Sequence, residues 1–179
     1  MKIDIEINEQ DLIDFNVFHI INNEASKAAF NKQRLITTII IGFIGSFGAM
    51  FTPSPNRILM IILTAGLAYF TYTNFFKSLA GSIAKRTKKE VASGRFNDTL
   101  KSIETTFDEV GITQGKASNK LLQKWEGVSK VFFEKNALYI YAGDMALVYP
   151  YRFFSEDEQA ELIEIINRHV NNDFIINNL

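Results

Sequence analysis

Residues Leu35 to Phe76 read LITTIIIGFIGSFGAMFTPSPNRILMIILTAGLAYFTYTNFF, and Arg57 is the one charged side chain among these 42. The first apolar block, Leu35 to Phe51, has 17 residues, and the second, Ile58 to Phe76, has 19. As α-helices they would extend roughly 26 and 28 Å, close to the roughly 30 Å hydrocarbon thickness of a bilayer. Between them Thr52-Pro53-Ser54-Pro55-Asn56-Arg57 carries two helix-breaking prolines and is too short for anything but an antiparallel return. A buried helical hairpin in a soluble core is the competing reading. It is disfavoured because soluble helices are rarely apolar all round. Within the blocks, polarity is limited to Thr, Ser, Tyr and Asn, whose side chains can bond backbone carbonyls or a neighbouring helix.

The flanks give the pair a direction. Lys27, Lys32 and Arg34 precede the first block, and Lys77, Lys85, Arg86, Lys88, Lys89 and Arg95 follow the second, against Arg57 alone in the loop. The positive-inside rule then predicts a multi-pass protein of the cell membrane with both termini cytoplasmic. A cleaved signal peptide does not fit, since the apolar stretch starts after 34 mostly polar residues and is followed at once by another. The Asn97-Asp98-Thr99 sequon would face the cytoplasm and carries no weight.

Whole-chain averages hide this arrangement. The 179 residues are 47% hydrophobic and 22% charged, with 19 basic residues against 20 acidic. The mean hydropathy is +0.01. Near-neutral charge argues against a nucleic-acid partner. The lack of cysteine excludes disulfides, thiol catalysis and cysteine-ligated metal centres. By position, however, residues 77–97 hold 6 basic residues and 1 acidic, while residues 98–179 hold 13 acidic and 8 basic.

Outside the apolar stretch the patterns change to those of a small folded domain. Lys2-Ile3-Asp4-Ile5-Glu6-Ile7 alternates with period two, as a half-buried strand does. Asn8 offers a helix cap, and Leu12, Phe15, Phe18 and Ile21 form an apolar stripe after it, more suited to packing on protein than to lying on a membrane. Further strands are expected at 103–107, from 112, at 121–125, 128–134, 137–142 and 145–149, with turns at Asp108-Glu109-Val110-Gly111 and Gly143-Asp144. Ser155 and Glu158 form a capping box for a closing amphipathic helix with Leu162, Ile163, Ile165, Ile166 and Val170 on its apolar side. This order predicts an α+β protein, in which a two-helix transmembrane hairpin joins a small antiparallel bent sheet or partial barrel closed by the C-terminal helix. A lone strand is unstable in water, so Ile3, Ile5 and Ile7 are expected to join that same sheet. The expected division is 1–34, 35–76, 77–97 and 98–179.

These features together resemble the YcxB-like proteins of Gram-positive bacteria. The residues that carry the resemblance are Ile3 to Phe18, the apolar pair, the basic run, Phe107-Asp108-Glu109-Val110-Gly111-Ile112, Trp125-Glu126-Gly127-Val128 with Val131, Leu147-Val148-Tyr149-Pro150 and Phe153 or Phe154. It covers nearly the whole chain through structural rather than catalytic signatures. It implies a C-terminal domain similar to bacterial pleckstrin-homology folds and says very little about activity.

Chemistry-bearing patterns are sparse. His19 and His169 sit in separate helices without metal-ligand spacing, so no metal and no cofactor is expected, and there is no phosphate-binding glycine motif. Gly42, Gly45, Ser46 and Ala49 form a small-residue face suited to packing on the second helix or to homo-oligomerisation. Lys85, Arg86, Lys88 and Lys89 are the candidate contacts for anionic lipid head groups, although topogenic charge alone also explains them. Trp125 is expected in a strand, as a core or sheet-to-helix packing residue rather than a ligand platform. The expectation is a non-enzymatic membrane-anchored binding module for a protein or lipid partner. The alternative is an immunity protein that neutralises a membrane-damaging toxin.

Overall fold

A computed structural model describes residues 1–115, 120–143 and 145–177. Asp144 of the expected Gly143-Asp144 turn lies outside the described residues. The protein is α+β, with four helices and two small, mostly antiparallel sheets among the described residues. Its elements are β1 (Lys2–Ile5), α1 (Glu9–Asn22), α2 (Glu24–Met50), α3 (Ser54–Ala92), β2 (Ile103–Phe107), β3 (Gly111–Gln114), β4 (Leu121–Lys124), β5 (Val128–Phe133), β6 (Ala137–Ala142), β7 (Met145–Pro150), α4 (Glu156–His169) and β8 (Ile175–Asn177). The chain forms two compact units, one of Met1–Phe15 with Glu90–Leu179 and one of Asn16–Lys89.

In the first unit the strands divide into two sheets of order β1-β2-β3-β4 and β7-β6-β5-β8. Strand β1 lies antiparallel to β2, pairing Ile3 with Thr105 and Ile5 with Ile103, so the N-terminal strand joins a sheet whose other strands follow the helix pair in sequence. The step between sheets falls at Trp125–Gly127, a single 3₁₀ turn that replaces the last residue of the expected strand 121–125. There the Trp125 indole is buried and its Nε1 donates to the Asp108 carbonyl at 2.8 Å, which ties the turn to the β2–β3 connection. Both sheets contribute to one core with α4: Phe107 and Ile112 from one, Val131, Leu138, Ile140 and Tyr149 from the other, Leu162 and Ile166 from the helix. Phe107 meets Tyr149 edge to face with centroids 5.1 Å apart.

Helix α4 starts as its sequence dictates. The Ser155 hydroxyl accepts from Glu158 N–H, and the Glu158 carboxylate accepts from Ser155 N–H at 2.8 Å, closing the capping box. It is not the last element, as the expectation of a closing helix had it. The chain returns as β8, parallel to β5 with Val131 opposite Ile175. Parallel neighbours need a long crossover, which α4 supplies, and a three-residue strand is too short to show alternation.

The corner between β1 and α1 is held by Arg152, whose guanidinium donates to both carboxylate oxygens of Asp11, the bond to Oδ2 being 2.6 Å, and to the Glu6 carbonyl at 3.0 Å. Asn8 and Asp11 also cap each other across the first turn of α1: the Asn8 side chain accepts from Asp11 N–H and the Asp11 carboxylate accepts from Asn8 N–H.

In the second unit α2 and α3 run antiparallel, with Arg34 at Tyr72, Gly45 at Thr64 and Gly48 at Met60. Both are long and apolar enough to cross a membrane, and of their most apolar stretches 6% and 0% are buried within the protein. Their polar side chains bond back to their own helix, as Thr38 does to Arg34 O, Thr64 to Met60 O and Asn74 to Phe70 O. Helix α3 does not stop at the end of its charge-free stretch. Its 39 residues reach roughly 58 Å and carry much of the basic run, ending before Gly94, whose φ of 83° suits a residue without Cβ.

Candidate functional site

Four basic residues singled out by the sequence, Lys85, Arg86, Lys88 and Lys89, lie exposed on α3. Helical periodicity explains why. Ile83 and Thr87 are four residues apart and share the buried side of these turns, where Asn16 Nδ2 donates to Thr87 Oγ1 at 3.2 Å, so Lys85 and Arg86 between them and Lys88 and Lys89 after them fall on the other sides of the helix. Arg34 on α2 stands over the Tyr72 ring at 4.2 Å and the Phe76 ring at 5.2 Å, and donates to the Tyr72 hydroxyl at 3.1 Å. This guanidinium is bound by aromatic faces at the end of the charge-free stretch.

The small-residue face divides in two. A Cβ added at Gly45 would come within 2.1 Å of the Thr64 side chain, so the two backbones approach closely only because Gly45 has none. Ala49, one turn on, is 4% exposed. Gly42 has no heavy atom within 4 Å of such a Cβ, so Gly45 and Ala49 face α3 while Gly42 does not meet it closely, and the exposed Ser46 borders a pocket with Ala49 and, from α3, Arg57 and Ile61.

Toward the basic end of the helix pair, a cleft of about 360 Å³ opens along α3. Its lining includes Gln33 from α2 and Phe70, Asn74, Phe75, Ser78 and Ser82 from α3. The cleft straddles the point where the charge-free stretch ends at Phe76 and Lys77 begins the basic segment. Its wall carries Phe70, Thr71, Asn74 and Phe75 toward the charge-free end, where the two aromatic rings dominate, and Ser78, Leu79 and Ser82 toward the basic end, where two of three side chains are hydroxyls. Sequence reading does not single out these residues. The available signal is the four-residue spacing of Phe70, Asn74, Ser78 and Ser82, which puts them in one row.

In the sheet unit, His169 stacks on Trp125 with ring planes 7° apart and centroids 5.8 Å apart, which gives the tryptophan its sheet-to-helix packing role. His169 Nε2 stands 2.9 Å from Glu109 Oε2, at ion-pair distance but without hydrogen-bond alignment, and Arg168 reaches the same carboxylate at 3.0 Å. The other histidine, His19, belongs to the helical unit. Burial pushes the Tyr149 phenol well above its ordinary value and those of Tyr141 and Tyr151 up to about 12, so these hydroxyls stay neutral at physiological pH. Among the described residues no group of three or more His, Cys, Asp or Glu side chains could hold a metal ion.

Compared with protein-family models, curated proteins and solved structures, the chain matches none.

Proposed function

We propose that this is a non-enzymatic, multi-pass membrane protein whose helix pair crosses the bilayer with both termini cytoplasmic. Its sheet unit, of the YcxB-like, pleckstrin-homology-like type, acts as a membrane-anchored binding module for a protein or lipid partner. The observation that carries the reading is the exposed apolar surface of α2 and α3 in a chain whose sheet unit has a complete core of its own. Ile39, Phe43, Ile44, Ile62 and Phe70 are each at least 60% exposed, a surface that water does not tolerate at this extent. A core helix of a soluble protein would have its apolar stretch mostly buried, and here almost none of it is. Flanking lysines and arginines support the orientation. An acidic segment, residues 98–179, that follows a basic one, residues 77–97, in the sequence suits a module tethered to an anionic surface at one end only.

Because the chain has no cysteine, single replacements report topology cleanly. Ser54→Cys, at the start of α3, should react with a membrane-impermeant maleimide in intact cells, and Asp98→Cys only after permeabilisation. Labelling of both in intact cells, or the reverse pattern, would overturn the topology. Crosslinking in intact membranes followed by mass spectrometry then tests the binding role: a captured protein or lipid supports it, and toxin protection by residues 1–97 alone would favour the immunity alternative.

A further inference from the structure

We infer that the α2–α3 cleft is a binding site for one anionic glycerophospholipid, with the acyl chains along Phe70 and Phe75 and the phosphate at Ser78 and Ser82, where the Ser82 hydroxyl turns to it from the Ser78 carbonyl to which it donates at 3.0 Å. The inference rests on the membrane reading above and names a ligand and a place for it. The first argument is position. The cleft spans the junction between the charge-free and basic parts of α3, which in a bilayer is the level where acyl chain gives way to head group. A free anion in water has no use for the aromatic half, and a purely apolar molecule has none for the hydroxylated half. A phospholipid matches both.

The second argument is charge. Ser78, Ser82, Lys85 and Lys89 follow one another at four, three and four residues, so they form one row on α3, and the row leads out of the cleft. Helical Cα–Cβ bonds tilt toward the N-terminus, so the Lys85 stem leans back toward Ser82 and the cleft mouth. Lys85 lies nine residues beyond Phe76, roughly 13 Å along a helix standing upright. At that height an ammonium reaches a phosphate only by leaning back in this way. On this row Lys85 is the basic residue nearest the cleft, and Lys89 follows one turn further out. The lining itself carries no charge, but residues 25–89, which contain it, hold no acidic side chain, and Lys32, Lys77 and Lys85 flank it in sequence, which selects an anionic head group over a zwitterionic one.

Native mass spectrometry of the full-length protein released from detergent micelles tests this, with phosphatidylglycerol or phosphatidylcholine of the same acyl composition added in separate arms and inorganic phosphate in a third. The expected result is one phosphatidylglycerol retained in preference to phosphatidylcholine and not displaced by millimolar phosphate. Lys85→Ala should weaken retention about fivefold. Ser78→Leu with Ser82→Leu, which fills the hydroxylated half, should abolish it. Lys27→Ala removes the same charge from α2 but lies about 120° around that helix from Gln33, and should change retention less than twofold. Equal losses in Lys27→Ala and Lys85→Ala, no preference between the two lipids, or displacement by phosphate would overturn the inference. An unchanged melting temperature for each variant establishes that it is folded. Extraction of cell membranes with alkaline carbonate separates the two readings: release of the protein overturns membrane insertion itself, whereas retention without lipid preference overturns only the cleft.

Discussion

In the sheet unit Phe107, Ile112, Val131, Leu138, Ile140 and Tyr149 have no exposed surface, whereas in the helix pair Phe43 is 71%, Tyr69 72% and Phe70 63% exposed. The residue types are alike and their burial is opposite. In the sheet unit two sheets and a helix close around the apolar side chains, and removing water from them stabilises the fold. The helix pair offers too few neighbours for that, since two helices cover each other along one stripe only. What remains exposed is the surface that, on the proposed reading, lipid covers. The difference shows that an apolar side chain's energetic role depends on its partners rather than its identity.

That contrast can be broken most directly by truncating one aromatic in each region and following unfolding of the full chain in detergent. Phe107→Ala opens a cavity among Tyr149 and Phe154 and should cost about 3–5 kcal/mol, while Phe43→Ala leaves no cavity and should cost under about 1 kcal/mol. Equal losses at the two sites would show that the helix pair has a packed environment of its own.

A second comparison lies within the small-residue face. Gly45→Leu drives a side chain into Thr64 and should force α2 and α3 apart, whereas the Cβ introduced by Gly42→Leu has no heavy atom within 4 Å. Spin labels on the two helices would measure it, with a distance increase of a few ångströms expected for the first variant alone. Dimer formation lost in Gly42→Leu but kept in Gly45→Leu would instead assign the outward half of the face to self-association.

Arg152→Ala removes the clamp on the β1–α1 corner and leaves the Asp11 carboxylate, whose side chain is 12% exposed, without its bidentate partner. Since Arg152 is itself 42% exposed, solvent takes over part of the loss, and a cost of about 1–2 kcal/mol in urea unfolding is expected. No change would mean that sheet pairing alone holds the corner.

The smallest effect belongs to the α4 cap. Hydrogen bonds from the Ser155 backbone and side chain hold the Glu158 carboxyl below its ordinary value of 4.5. A carboxyl depressed on folding contributes stability above its unfolded value, and that contribution is lost as pH falls through the folded one. The melting temperature should therefore decline in part through this group only below about pH 4.5, and Glu158→Gln should flatten that portion of the profile.

What could be read in advance follows from what is local. Ser155 and Glu158 cap α4 three residues apart, and the alternation from Lys2 to Ile7 marks a strand without any knowledge of its neighbour. The partner of that strand lies about a hundred residues away, at Ile103 to Thr106. The Arg152–Asp11 clamp joins residues 141 apart, and neither is unusual in its own segment. The cleft residues escaped notice for a related reason: Asn74, Ser78 and Ser82 look like the ordinary polar fraction of a long helix until Gln33 of α2 is set beside them.

The sequence by itself determined the two long apolar helices, the strands flanked by turn residues and the asymmetry of charge, because hydropathy, propensity and charge are properties of short windows. Only the tertiary structure decided which strands share a sheet, that a parallel strand follows α4, and which polar residues of α3 border a cleft. Those depend on contacts between distant segments, whose geometry is set by mutual packing and leaves no period in either segment alone.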